Sequence, residues 1–344
     1  MRLTYQPWGE TLAELADAGR RAERAGAEVL WAAELHRSAT GTAAALAGAT
    51  STARIGTSIV LAFTRSPMIT ALEALDLDEL SGGRFVIGLG SGVRRLNEQW
   101  HNVPFGKPVG HLRETVRNIR LFWDSCTTGA EIRADGEFEP MHIRGYERPY
   151  AVPERPIPVY LAAMGPLMTR LAGEIGDGWI SHELCSPRYL REHVLPDLTL
   201  GIDRADGKTR HDVDVVVSAC CSVAADPALA RRRAAGVVGF YATVRTYADF
   251  FAFHGLAEDQ QAVIDAFRAG AGADHLAGSV SDRMVDALTM AGTRDDVAAR
   301  IAAYDGIADT VKLSPPTHGL PAVEIRAAQD EIIALIGELT GATT

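Results

Sequence analysis

Residues 55–92 constrain the fold of this 344-residue chain more than any other stretch. The apolar, β-branched run at 54–63 is too short for a core helix and predicts a buried strand. Ser66, followed by proline, predicts a helix start, because serine is a good N-cap and proline is tolerated in the first turn. Two glycines at 82–83 end that helix, and residues 84–89 predict a second buried strand. A strand, a helix and a strand in this order indicate two parallel strands.

The second strand of this unit ends in a run of glycines, at Gly88, Gly90 and Gly92. Glycines leave bare backbone that a ligand can approach closely. A dinucleotide-binding fingerprint needs glycines at the first, third and sixth positions after the first strand of a unit. Counted from Gly88, the sixth position is Val93, and no acidic residue follows about twenty residues later at the end of another strand. The glycine run therefore argues against a Rossmann domain.

Strand-like apolar runs alternate with helix-like segments along the whole chain. The predicted strands are 3–6, 28–33, 54–63, 84–89, 157–162, 177–181, 212–223 and 309–313. No linker or low-complexity tract interrupts the alternation, which indicates one α/β domain over residues 1–344. We expect a hairpin excursion at 128–156, where glycine, proline and charge are frequent, and a helical insertion at 226–290.

Charge and composition exclude several classes of protein. A net charge of −10 argues against binding to nucleic acids or to anionic membranes. We find neither a secretory leader nor an apolar run of membrane-spanning length. The four cysteines are scattered, so neither disulfides nor a metal site is expected. These features predict a cytoplasmic protein.

Three blocks of the sequence resemble the bacterial luciferase-like superfamily. Arg-Ser-Pro followed by Leu-Ser-Gly-Gly-Arg-Phe-Val-Ile-Gly-Leu-Gly-Ser-Gly, within 65–92, is similar to that superfamily's third and fourth barrel strands. Pro-Val-Tyr-Leu-Ala-Ala-Met-Gly-Pro at 158–166, with 170–180, is similar to its fifth and sixth strands. Gly-Phe-Tyr-Ala-Thr at 239–243, together with Tyr247 and His254, resembles the helical segment of an actinobacterial F420-dependent subgroup. With the first and last strands, the resemblance covers nearly the whole chain.

The resemblance implies a (β/α)8 TIM barrel with insertions that binds a phosphate-bearing flavin-type cofactor. It favours an F420-dependent oxidoreductase, which moves a hydride between the deazaflavin and a carbonyl, an imine or an activated alkene. An FMN-dependent monooxygenase on the same fold is the first alternative. A barrel that binds a deazaflavin or another ligand without turnover is the second. The resemblance also implies a homodimer.

In such a barrel the active site follows the carboxyl ends of the strands. Hydride transfer to carbon is usually accompanied by a proton transfer, so His36 and Glu34, after the second strand, are the candidate acid and base. We expect burial to raise the carboxyl pKa of Glu34 towards neutrality. In the loop after the fourth strand the subgroup tends to carry a histidine, whereas Leu96 stands near that place here. A proton role in that loop would then pass to Glu98.

The remaining candidates would bind the cofactor. By resemblance, Ala62, Phe63 and Thr64 press the third strand against the cofactor ring, often through a non-proline cis peptide. Free amides at a helix start suit a phosphate, which predicts a phosphate site at 163–166. The other candidates would supply further positive charge or would let the backbone approach the cofactor closely. The cofactor candidates beyond the third strand are Arg65, Gly90, Ser91, Gly92, Arg94, Ala163, Met164, Gly165, Pro166 and His182. Of these, His182 could contact either the phosphate or the substrate.

Overall fold

The computed structural model describes residues 1–272 and 275–342. Its strands, in chain order, are β1 (Arg2–Tyr5), β2 (Val29–Ala32), β3 (Arg54–Thr57), β4 (Val60–Leu61), β5 (Phe85–Gly90), β6 (Ile132–Ala134), β7 (Met141–Ile143), β8 (Val159–Ala162), β9 (Gly178–Ile180), β10 (Asp214–Val223), β11 (Met290–Gly292) and β12 (Thr310–Ser314).

The helices lie between these strands. They are α1 (Leu12–Arg24), α2 (Ala39–Ala49), α3 (Pro67–Leu80), α4 (Pro108–Ser125), α5 (Pro166–Ile175), α6 (Pro187–Tyr189), α7 (Leu195–Ile202), α8 (Pro227–Ala242), α9 (Ala248–Phe253), α10 (Ala257–Arg268), α11 (Asp282–Leu288), α12 (Arg294–Ala302) and α13 (Ala322–Thr340). A π-helical turn at Leu96–Trp100 follows β5, and another at Leu190–Val194 follows α6.

The chain forms two compact units. The first unit comprises Met1–Leu30, Ser181–His193 and Val215–Thr344, and the second comprises Trp31–Ile180 and Val194–Asp214. The single domain expected from the sequence stays a prediction.

Apart from the β6–β7 hairpin, the strands that pair within each unit are parallel. In the first unit β1 pairs with β12, β12 with β10, and β10 with β11. In the second unit β3 and β4 pair with β5, β5 with β8, and β8 with β9. The alternation of parallel strands with helices along the chain is that of a (β/α)8 TIM barrel, and the predicted fold class is confirmed. β11 is an additional strand of three residues, too short to show a periodic pattern in the sequence.

The predicted third strand is interrupted. β3 ends at Thr57, the peptide bond between Ser58 and Ile59 is cis, and the chain resumes as β4. The cis peptide therefore lies before Ile59, and the expectation that it falls within residues 62–64 was wrong. Thr57 brings β3 and β5 close together, because its hydroxyl donates to the Gly88 carbonyl at 2.9 Å. A Cβ at Gly88 would lie 1.9 Å from the Thr57 carbonyl oxygen, so only glycine fits there.

An antiparallel hairpin of β6 and β7 lies inside the predicted excursion at 128–156. The Glu114 carboxylate on α4 anchors its tip by accepting three backbone N–H groups, from residues 137–139, at 2.9 Å each. Burial opposes ionisation of Glu114, but these donors outweigh it and lower its pKa. His111, one turn earlier on α4, lies 2.7 Å from the Glu139 carboxylate through Nε2.

The stretch predicted as a helical insertion, 226–290, carries α8, α9, α10 and α11. Residues 273 and 274 of that stretch lie outside the described residues. In the described part of the chain, no helix combines the length and the apolar character that a membrane crossing requires.

Candidate functional site

The loops after β2 and β4 are joined by an ion-paired triad. Arg65 donates from both terminal nitrogens to the Glu34 carboxylate, at 2.9 Å each, in a bidentate pair. The Leu61 N–H donates to the same carboxylate at 2.7 Å. On the other side of the guanidinium, Arg65 Nε lies 3.6 Å from Glu73 on α3. Arg65 is therefore already neutralised by two carboxylates.

The triad sets the charge of its members. Burial raises the pKa of Glu34, but the hydrogen bonds from Arg65 and Leu61 and the charge of Arg65 outweigh burial, so its pKa is lowered. The expectation that burial raises this pKa towards neutrality was wrong, because the sequence does not show which donors meet the carboxylate. Burial raises the pKa of Glu73, which Arg65 offsets only in part. Glu34 is a fixed carboxylate at neutral pH.

His36 differs from Glu34 in being exposed, in the loop between β2 and α2. Among the described residues it makes no hydrogen bond or ion pair. Of the two candidates after β2, only Glu34 is therefore engaged with other residues of the described chain.

The glycine-rich loop after β5 is held by a buried amide that the sequence analysis did not single out. Asn97, which is fully buried, donates from Nδ2 to the carbonyl oxygens of Ser91 at 2.8 Å and Val93 at 3.1 Å. Gly92 has a φ of 61°, a conformation that side chains other than glycine rarely adopt. A Cβ at Gly90 would lie 2.9 Å from the Ile59 side chain. Asn97 thus positions bare backbone at the end of β5.

The two charged candidates in the same loop pair with each other. Arg94 donates to Glu98 at 2.6 Å, with side chains 60% and 40% exposed. The Arg94 guanidinium also lies 5.0 Å from the centre of the Phe105 ring. Such exposed pairs contribute little to stability, so both side chains can exchange partners when a ligand binds.

The side chains of Phe63 and Thr64, just after β4, make contacts within the protein. The Phe63 ring stacks on the His111 ring, with centres 3.8 Å apart and an interplanar angle of 2°. The Thr64 hydroxyl donates to the Leu61 carbonyl at 3.1 Å. Both side chains are therefore engaged within the protein, and Ala62 is fully buried.

The loop after β8 leads into a helix start without a side-chain cap. Gly165 is the N-cap residue of α5 and Pro166 its first residue, and no side chain accepts from the first turn. Because the first N–H groups of a helix have no acceptor within it, those of Leu167 and Met168 remain available. Ala163 uses its own backbone within the fold, accepting from Trp179 at 3.0 Å and donating to Ile180 at 3.2 Å. The amides left available at this helix start are those that follow Gly165.

His182 lies in the first unit, after β9, among aromatic side chains. Its Nδ1 accepts from the Leu184 N–H at 3.2 Å. Burial lowers the pKa of His182 to about 3, with a smaller contribution from His254. The ring is therefore neutral in the physiological range. Within residues 1–272 and 275–342, no group of three His, Cys, Asp or Glu side chains could hold a metal ion.

Comparison with known proteins agrees with this architecture. The family described as luciferase-like monooxygenase matches residues 1–310. An uncharacterized protein of Mycobacterium tuberculosis is 30% identical over 309 residues, which cover 87% of this chain and 89% of that protein. The F420-dependent glucose-6-phosphate dehydrogenase of Kineococcus radiotolerans is 31% identical over 247 residues, 67% of this chain and 70% of that enzyme.

Among solved structures, the coenzyme F420-dependent tetrahydromethanopterin reductase of Methanopyrus kandleri superposes with a TM-score of 0.82 at 23% identity. The superposition covers 98% of this chain and 97% of that one. The structure defines the protein as a TIM barrel whose candidate functional groups follow the carboxyl ends of the strands. The chain belongs to the luciferase-like family, and the predicted membership is confirmed.

Proposed function

We propose that this protein is an F420-dependent oxidoreductase that transfers a hydride between the deazaflavin and a small organic substrate. The substrate class is a carbonyl, an imine or an activated alkene. The names of relatives support the cofactor, since one relative of 31% identity is itself named F420-dependent. The observation that carries the proposal is the uncapped start of α5, which offers free amides to a phosphate in the second unit.

The residues present fit a flat ring with a phosphate tail. A Cβ built at Gly165 meets no atom within 4 Å, so the approach to the α5 amides is open. Arg65 is neutralised by Glu34 and Glu73, and Arg94 is paired with Glu98. Since the nearby arginines are engaged, the helix start supplies most of the attraction for the phosphate. The backbone at the end of β4 and the loop held by Asn97 would contact the ring.

When bound, a reduced deazaflavin supplies a hydride. His36 then gives a proton to the substrate atom next to the carbon that receives the hydride, or takes one in the reverse direction. Glu34 stays ionised and holds the Leu61 N–H and Arg65, which orients the end of β4. Glu34 acts in this account as a positioning residue.

Titration with F420 and with FMN, followed by fluorescence, tests the cofactor. We expect tight binding of F420 and weak or no binding of FMN. Tight binding of FMN alone would favour the luciferase-like monooxygenase instead. If reduced F420 is consumed only when a carbonyl or unsaturated substrate is present, the non-catalytic alternative is contradicted.

Exchanging Gly165 for Asp tests the phosphate site directly. The residue has a φ of −86° and a ψ of 159°, which any residue adopts, and its Cβ meets open space. An aspartate at an N-cap accepts from the first-turn amides and repels a phosphate, so we expect F420 affinity to fall about tenfold or more.

Gly165→Ala is the matched control, because it adds a Cβ without an acceptor or a charge. It should bind F420 within about twofold of the wild type, a difference well below 1 kcal/mol. If the Asp and Ala variants bound F420 with equal affinity, and circular dichroism showed both to be folded, the phosphate would not bind at the start of α5.

The cytoplasmic location and the homodimer remain predictions, the first from composition and the second from resemblance. All of the assigned binding roles, including those of Ser91, Met164 and Pro166, likewise remain predictions. Ser91 donates its hydroxyl to the Gly92 carbonyl at 3.1 Å, which leaves its side chain engaged.

A further inference from the structure

Four aromatic side chains surround His182 in the first unit. We call His182 together with these four side chains, Tyr189, Tyr241, Tyr247 and Phe250, the aromatic cage. The ring centres of Phe250 and Tyr247 lie 4.8 and 5.1 Å from that of His182, at 90° and 86° to its plane. Those of Tyr241 and Tyr189 lie 6.1 and 6.5 Å away. Three of the four rings come from residues 241–250, so the helical insertion supplies most of the cage.

Hydrogen bonding decides which nitrogen of His182 carries the proton. Nδ1 accepts from the Leu184 N–H, so Nδ1 bears no hydrogen in the neutral ring. The remaining proton is therefore on Nε2. Nε2 is buried and has no hydrogen-bond partner among the described residues. A buried N–H without an acceptor is destabilising, and an incoming acceptor would remove that penalty.

The charge around the cage selects the kind of acceptor. Burial raises the pKa of both Tyr241 and Tyr247, and the nearby Glu183 carboxylate raises them further. Both hydroxyls are therefore neutral, as is the His182 ring. Glu183 also interacts with the buried Lys312, so the two charges offset each other and the neutral donors of the cage suit an uncharged acceptor. The aromatic walls suit an apolar body attached to that acceptor.

We propose that the aromatic cage binds the uncharged end of a small substrate, a carbonyl oxygen or an imine nitrogen, which accepts a hydrogen bond from His182 Nε2. The inference rests on the proposed function for the class of substrate, but not for the geometry of the site. It assigns His182, which the sequence left open between the cofactor phosphate and the substrate, to the substrate. Tyr241 and Tyr247 become part of the same substrate site.

A ketone titration of the whole protein tests the proposal without turnover. With 15N-labelled histidine, we expect cyclohexanone to shift the Nε2 resonance of His182, whereas methylcyclohexane, which lacks an acceptor, leaves it unchanged. His182→Phe keeps an aromatic ring without the donor and should weaken cyclohexanone binding about tenfold, the effect of one lost hydrogen bond. His182→Gln restores a donor near the Nε2 position and should recover part of that loss.

F420 affinity separates this proposal from the proposed function. We expect His182→Phe to bind F420 as the wild type does. If His182→Phe lowered the affinity for F420 and left ketone binding unchanged, His182 would be a cofactor residue and the proposal would be overturned. A wild-type Nε2 resonance that does not shift with cyclohexanone would also overturn it. If the wild type binds no F420 at all, the proposed function fails while the ketone titration still decides the cage. The wild-type spectra remain informative even if a variant does not fold.

Discussion

Replacing His36 with Asn is expected to lower kcat for reduced-F420 oxidation by about 10²–10⁴-fold, the usual contribution of a positioned acid or base. F420 affinity should stay within about twofold of the wild type, because His36 makes no contact within the described residues that orders the cofactor loops. Stopped-flow or steady-state absorbance of the deazaflavin measures the rate. Fluorescence titration measures the affinity.

His211→Asn is the matched control, since His211 is also exposed but precedes β10 and so lies at the opposite end of a strand. It should leave kcat unchanged. A His36→Asn variant with wild-type kcat would remove His36 from the mechanism. Comparison with Glu34→Gln then separates the two candidates: the ion-paired Glu34 should affect stability as well as rate, whereas His36 should affect rate alone.

Replacing Arg65 with Met is expected to lower the free energy of unfolding at pH 7 by about 3 kcal/mol. The change leaves two carboxylates, Glu34 and Glu73, without their shared cation, and their side chains are only 12% and 32% exposed. Urea denaturation followed by circular dichroism measures the loss. Arg94→Met is the control, because Arg94 forms an exposed pair with Glu98, and it should cost less than about 1 kcal/mol.

The cost of removing Arg65 should depend on pH. The folded-state pKa of Glu34 lies below the ordinary value of 4.5 because of its bond to Arg65. A carboxyl group whose pKa is lowered by folding stabilises the folded state fully at a pH above its pKa in the unfolded chain. This stabilisation is lost as the pH falls through its pKa in the folded protein. The difference between wild type and Arg65→Met should therefore shrink below pH 4.5. A loss that is the same at pH 3 and pH 7 would contradict the ion-pair explanation.

Local signals in the sequence predicted the elements that depend on neighbouring residues. The Ser66 hydroxyl accepts from the Ile69 N–H at 3.3 Å, as a serine before a proline-led helix should. Thr293 forms a capping box with Asp296 at the start of α12. Caps and apolar periodicity act over a few residues, which is why they can be read from the chain directly.

Contacts between distant residues decided the site. Glu34 meets Arg65, 31 residues away, and that contact lowers a pKa that burial alone would raise. Asn97 is one polar residue in a polar loop until folding buries its amide against the loop carbonyls. The position of the cis peptide before Ile59 also carried no local signal.

The alternation of strands and helices, the helix caps and the glycine run at the end of β5 were determined by the sequence alone, because they arise from backbone preferences and periodic burial. The ionisation of Glu34, the amide that holds the glycine loop and the aromatic cage around His182 were decided only by the tertiary structure. Charge, tautomer and burial depend on which groups the fold brings together, and chain order does not contain that information.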